Sequence, residues 1–199
     1  MRRLIMATTF AIATALTPTW LLAGSVMDPT PLDRYVGEQT APKTLLVYTA
    51  PTCSNCVDFE RQILPELHKR YVETGKLRLV HRPFIRNSVD AVAFMVIASV
   101  NDANKEKAFA AFTDNFEKIT QPGSKPVIHE IAASVGIDSD GFERLLNDQK
   151  LLDELNRTMA TAMTVYDVRG TPAFFLDGKL ITPDGTIRPF AEAMDAKTP

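Results

Sequence analysis

The 199-residue sequence has no internal repeat, no low-complexity tract and no run of basic residues, and it contains only two cysteines. Each absence removes a class of function. With 22 basic against 24 acidic residues and a pI of about 5.9, no surface is suited to nucleic-acid phosphates. The N-terminal apolar stretch, residues 4–16, is followed by Pro18 and is shorter than the roughly 20 residues that span a bilayer, so it does not read as a membrane anchor. Neither a second cysteine pair nor a close His-x-x-x-His supplies the four ligands of a zinc site, and no metal or other cofactor is expected.

What the N-terminus does have is the layout of a secretory signal peptide. Arg2 and Arg3 precede the apolar stretch, and the small residues Ala23, Gly24 and Ser25 follow it. Cleavage is expected after Ser25. Ser25 stands where a lipoprotein would need cysteine, which excludes lipidation there, and the remainder of a twin-arginine motif is missing. Losing both arginines leaves 20 basic against 24 acidic residues, a mature net charge near −4. The remaining residues suffice for one sizeable core, or for a small core carrying one large insertion.

Cys53 and Cys56 stand three apart in Ala-Pro-Thr-Cys-Ser-Asn-Cys-Val-Asp-Phe-Glu. As a staple the pair is poor: chain entropy credits a four-residue loop with roughly 2 kcal/mol, against about 3 for fifteen residues. As a dithiol that opens and closes it is well placed. A cysteine at a helix start has its thiolate stabilised by unpaired N–H groups and the positive end of the helix dipole.

The chain alternates strand and helix signals at both ends. Residues 44–49 are short, apolar and flanked by Pro42 and Pro51, which predicts a buried strand. Phe59, Ile63, Leu67 and Tyr71 then recur at four-residue steps, predicting a helix over 53–73 that Pro65 should kink and Gly75 should end. Residues 76–80 alternate as a second strand closed by His81-Arg82-Pro83-Phe84, and Asp28-Pro29-Thr30-Pro31 reads as an extended lead-in. From 88 to 168 the periodicity is helical throughout, with stripes such as Phe109, Phe112, Phe116 and Leu152, Leu155, Met159 most simply core. Residues 171–176, a turn at Asp177-Gly178 and residues 179–181 restore strand signals before a last helix carrying Ile187 and Phe190.

This order resembles a thioredoxin fold interrupted by helices, as in the DsbA family. The resemblance is carried by Gly37 to Pro42 before the first strand, by Cys53 to Glu60, and by Arg169-Gly170-Thr171-Pro172 running into Ala173 to Gly178, and it covers nearly all of residues 33–196. It implies an α/β thioredoxin-like fold with a helical domain inserted between the second and third core strands. The expected division is a signal peptide at 1–25, a first thioredoxin-like part at 26–84, the helical insertion at 85–168 and a second thioredoxin-like part at 169–199. The implied activity is protein thiol:disulfide exchange in the periplasm, on cysteines of exported proteins, most simply as a disulfide donor. The enzyme would act as a monomer reset by a membrane redox partner. A reductase or isomerase of the same fold, and a non-enzymatic metal carrier or holdase, are the alternatives.

The resemblance also assigns residues. Cys53 is the expected exposed nucleophile and Cys56 the resolving cysteine. Thr171-Pro172 is expected to be a cis bond packed beside Cys53, leaving the Thr171 backbone to pair with an extended substrate. Ser54 and Asn55, between the cysteines, and Glu60 are the candidates for redox tuning. Asn55 stands where DsbA-like oxidants often carry histidine, and Val47 where some carry a buried acid. For Glu60 a solvated helix carboxylate is the simpler expectation, and for His81 a structural role.

Overall fold

The computed structural model describes residues 24–196, so all of the expected signal segment except Gly24 and Ser25 lies outside the described residues. Five strands form one sheet in the order β1-β3-β2-β4-β5: β1 (Arg34–Val36), β2 (Lys43–Thr49), β3 (Leu77–Pro83), β4 (Ala173–Leu176) and β5 (Lys179–Ile181). β2 and β3 run parallel and every other pairing is antiparallel. The central strand explains its own composition. Leu45, Leu46, Val47 and Tyr48 are each almost fully buried, because both faces of β2 are covered and an unbroken apolar run is what such a strand needs.

One face of the sheet receives the long helix that follows β2. It runs as α1 (Ser54–Asp58), a π-helical turn (Phe59–Ile63), α2 (Leu64–Leu67) and a second π-helical turn (His68–Val72). A strict four-residue spacing drifts by about 40° per step around an ideal α-helix. The wider π turns take up that drift, so Phe59, Ile63, Leu67 and Tyr71 all reach one core with Leu45, Val47, Leu77 and Leu79. The break expected at Pro65 takes this form: a π turn ends just before a residue that has no N–H to donate. Gly75, at φ +67°, ends the helix in the left-handed conformation.

The other face packs Leu46, Tyr48, Val80 and Phe175 against Val26 and Ala162. Ala162 belongs to α8 (Gln149–Thr164), the last of six helices between β3 and β4. Its predecessors are α3 (Ser88–Ser99), α4 (Asp102–Asp114), α5 (Phe116–Ile119), α6 (Lys125–Ser134) and α7 (Ser139–Leu146). They enclose a second core around Phe109, Phe112, Ile131, Phe142 and Leu155. β4 and β5 are joined through Asp177 and Gly178, both at positive φ, the geometry that matches strand twist in a two-residue hairpin. Helix α9 (Arg188–Asp195) closes the chain, with Phe190 against Phe59 and Phe174.

Three local readings are revised. β1 was unread, because three residues containing Arg34 and Tyr35 carry no alternation signal; it exists because β3 offers an edge. β3 itself continues through Arg82 and Pro83 instead of closing after Val80. The expected extended lead-in at 28–31 runs into a turn at Pro31-Leu32, closed by Asp33, which accepts bonds from the Thr30 N–H and hydroxyl at 2.9 and 2.8 Å.

Arg82 holds this turn to the sheet. Its guanidinium donates to both Asp33 carboxylate oxygens at 2.7 Å and to the carbonyls of Val26 and Asp28 at 2.8 and 2.7 Å, with both side chains buried. Arg82→Met would strand the Asp33 carboxylate and release the segment ahead of β1. The expected loss of stability is about 3–5 kcal/mol in urea denaturation, and a loss below about 1 kcal/mol would show that the clamp is peripheral.

Candidate redox site

Cys53 is the N-cap of α1, with extended backbone (φ −96°, ψ 114°). Its N–H donates to the Ala50 carbonyl at 3.1 Å, and its own carbonyl accepts from Val57 at 3.0 Å, so the turn leaving β2 and the first helical turn fix the sulfur between them. Cys56 lies one turn deeper and is 1% exposed. Both are in the dithiol form. The expectation of an exposed Cys53 is corrected: the residue is only 3% exposed. The loop before β4 covers it, bringing the Thr171 carbonyl to 3.3 Å from its sulfur. The Thr171-Pro172 bond is cis.

The two thiols are driven in opposite directions. Cys53 falls from an ordinary 9.0 to about 5: the Cys56 thiol donates to its sulfur, burial opposes the charge, and the Thr171 side chain, the Cys56 N–H and Arg86 add further support for the thiolate. Cys56 is pushed far up, first by burial and then by giving its proton to Cys53, with Thr171 and Thr49 acting the other way. One sulfur is thus a ready nucleophile while the other keeps its proton.

Arg86 owes its place to a network that sequence reasoning missed. Asp90, fully buried in the first turn of α3, accepts from the Thr52 N–H and hydroxyl at 2.9 and 2.8 Å and from the Arg86 N–H at 3.1 Å. Arg86 then donates to the Thr52 carbonyl at 2.7 Å. The residue before the nucleophile is therefore tied to the start of the helical block. Asn87-Ser88-Val89-Asp90 held a signal for this, since Asn87 caps α3 by accepting from the Asp90 N–H at 2.9 Å.

The remaining candidates separate. Ser54 and Asn55 are exposed, and neither side chain bonds to Cys53 among the described residues. Asn55 lines, with Asp58, Phe59, Gln62, Thr171 and Pro172, a groove of about 430 Å³. A second groove, of about 460 Å³, lies across Pro172 against Tyr166, Arg169 and the exposed Leu180. Glu60 is not solvated: its side chain is 11% exposed and lies 3.3 Å from His81, itself buried. Burial pushes the Glu60 carboxyl up, but His81 and Arg34 outweigh it and hold the group below its ordinary value. No group of three or more His, Cys, Asp or Glu side chains among the described residues is placed to hold a metal ion.

Residues 29–196 match the family model described as thioredoxin. The chain belongs to the thioredoxin family. A Rickettsia bellii protein named "Putative protein-disulfide oxidoreductase" is 26% identical over 82% of this chain and 63% of its own length, so this chain spans a little under two thirds of that relative. The fold is shared with alpha-DsbA1 of Wolbachia pipientis (TM-score 0.76, 21% identity, 84% of this chain and 91% of that one). It is also shared with a protein-disulfide isomerase of Novosphingobium aromaticivorans (TM-score 0.71, 21% identity, 82% and 98%).

Because Cys53 drops from 9.0 to about 5 in the fold, its thiolate stabilises the reduced protein fully above pH 9, and this contribution fades as pH falls through about 5. Urea denaturation of the reduced protein should show stability rising across that window, while the oxidised protein lacks the rise. Iodoacetamide should alkylate Cys53 before Cys56, with a rate inflexion near pH 5. Cys56→Ala should move the inflexion upward, and an unmoved inflexion would remove Cys56 as the main support of the thiolate.

Proposed function

We propose that this chain is an exported protein thiol:disulfide oxidoreductase that donates the Cys53–Cys56 disulfide to cysteines of exported proteins. The observation that carries this reading is the split between the two thiols: a Cys53 thiolate held at the helix start with its value near 5, above a buried Cys56 that keeps its proton. A protein that stabilises its own thiolate favours its reduced form, and so gives its disulfide away. That supports the donor direction over a reductase or isomerase of the same fold.

A client thiolate attacks the Cys53 sulfur and the Cys53–Cys56 bond breaks, its electron pair going to Cys56. The client's second thiolate then displaces Cys53, which leaves as a thiolate. The client segment would lie along the Thr171-Pro172 loop. There the Thr171 N–H has no partner among the described residues, and the grooves on either side of Pro172 accept flanking side chains. Residues 1–25 would be removed on export to the periplasm, residues 26–84 and 169–199 would form the thioredoxin-like unit around the 85–168 helical domain, and a membrane redox partner would reoxidise the monomer.

Equilibration in glutathione buffers should give a reduction potential above about −200 mV, between the DsbA extreme and thioredoxin near −270 mV. A value at or below thioredoxin's would support the reductase alternative. Cys56→Ser should accumulate mixed disulfides with reduced client proteins, visible on non-reducing gels, because the resolving thiol is gone.

A further inference from the structure

The two grooves beside Pro172 differ in chemistry. The long helix sets Asn55, Asp58, Phe59 and Gln62 along one face, the stacking that three- and four-residue spacing gives on a helix, and this face walls the groove of about 430 Å³. Its floor is apolar and packed. Phe59, Ile63 and Phe174 are buried, and the Phe59 and Phe174 rings lie 4.7 Å apart between centroids. Its edge carries a single charge, since Asp58 is the one ionisable side chain among the described residues that line it.

That carboxylate is unpaired. Asp58 is exposed, accepts a bond from Gln62 Nε2 at 3.3 Å, and meets no cation among the described residues. Asp184, between the lining residues Pro183 and Gly185, is already matched by Arg188 at 2.6 Å. Across Pro172 the balance is different. There Asp167 and Arg169 pair with each other beside the exposed Leu180, so the second groove gives no reason to select charge.

An apolar trough with one unpaired carboxylate at its edge suits a particular kind of side chain. Lysine and arginine lay a methylene stem along apolar surface while the charged head stays at the water boundary. Glutamate in the same place would set like charges together. Thr171 and Pro172 line this groove, and the Thr171 carbonyl lies 3.3 Å from the Cys53 sulfur. A client strand paired there therefore needs no more than two residues, about 7 Å, to reach from sulfur to groove. We propose that the Asp58 groove is a specificity subsite of the exchange reaction, taking a lysine or arginine side chain that flanks the attacking cysteine of the client. The client class is an extended segment with a basic residue within two positions of that cysteine.

The subsite presupposes the exchange function proposed above, and one experiment separates the two. Oxidised protein is mixed with reduced peptides holding two cysteines across a Gly-Ser spacer, with lysine, norleucine or glutamate placed in turn at each position within two of the first cysteine. Acid quenching and mass spectrometry give the rate constant for oxidation of each peptide. At one position lysine should exceed glutamate on the order of five- to twentyfold at low salt, with norleucine between them. The preference should fade at about 1 M salt. Asp58→Lys should reverse the order at that position and Asp58→Asn should flatten it. Comparing variants cancels the intrinsic reactivity of each peptide thiol, and the exposed position of Asp58 lets both variants fold. A preference of equal size at every position, as long-range attraction alone produces, would overturn the subsite. So would a lysine-to-glutamate ratio untouched by Asp58→Lys. A wild-type protein that oxidises none of the peptides would overturn the exchange function instead.

Discussion

The hydrogen bond from the Cys56 thiol to the Cys53 sulfur is the contact on which the site's chemistry turns. It makes one proton serve two residues: held by Cys56, it leaves Cys53 charged and nucleophilic. The arrangement works only because the two residues differ in depth by one helical turn. Burial alone would raise both values, and the helix start alone would lower Cys53 by less.

The fold supplies that difference in depth. β2 ends beneath the long helix, so the chain turns at Ala50 to Thr52 and presents Cys53 at the rim and Cys56 inside. Two loops hold the rim from opposite sides. The Thr52–Asp90–Arg86 network ties it to the first helix of the helical block, and Thr171-Pro172 reaches over it from the far end of that block. The helices between β3 and β4 therefore act on the sulfur through both of their junctions with the sheet, and Arg86 adds positive charge from one of them.

The same junction carries the buried polar row. Arg34, His81 and Glu60 come from β1, β3 and the long helix, and Phe109 and Glu106 from α4. In an apolar interior such a group persists when it is satisfied or when it has work to do.

Much of the site was legible from local chemistry. The cysteine spacing, the strand ahead of it, the four-residue apolar stripe and the Thr-Pro strand are short-range patterns, and each depends on chain geometry within a few residues. The hairpin at Asp177-Gly178 and the all-helical stretch were legible for the same reason. What remained hidden lay in contacts across long separations. Arg34 and Glu60 look like surface charges until the register of β1 on β3 and the face of the long helix place them against His81. Asp90 looks like a helix-capping residue until α3 docks beside Thr52. The depth of Cys53 was likewise out of reach, because the loop covering it lies more than 110 residues away in the chain. Composition and spacing determined which groups could do redox chemistry. Only the tertiary structure decided which of them share a proton, since that depends on burial and on distances of a few ångströms between segments that the sequence keeps apart.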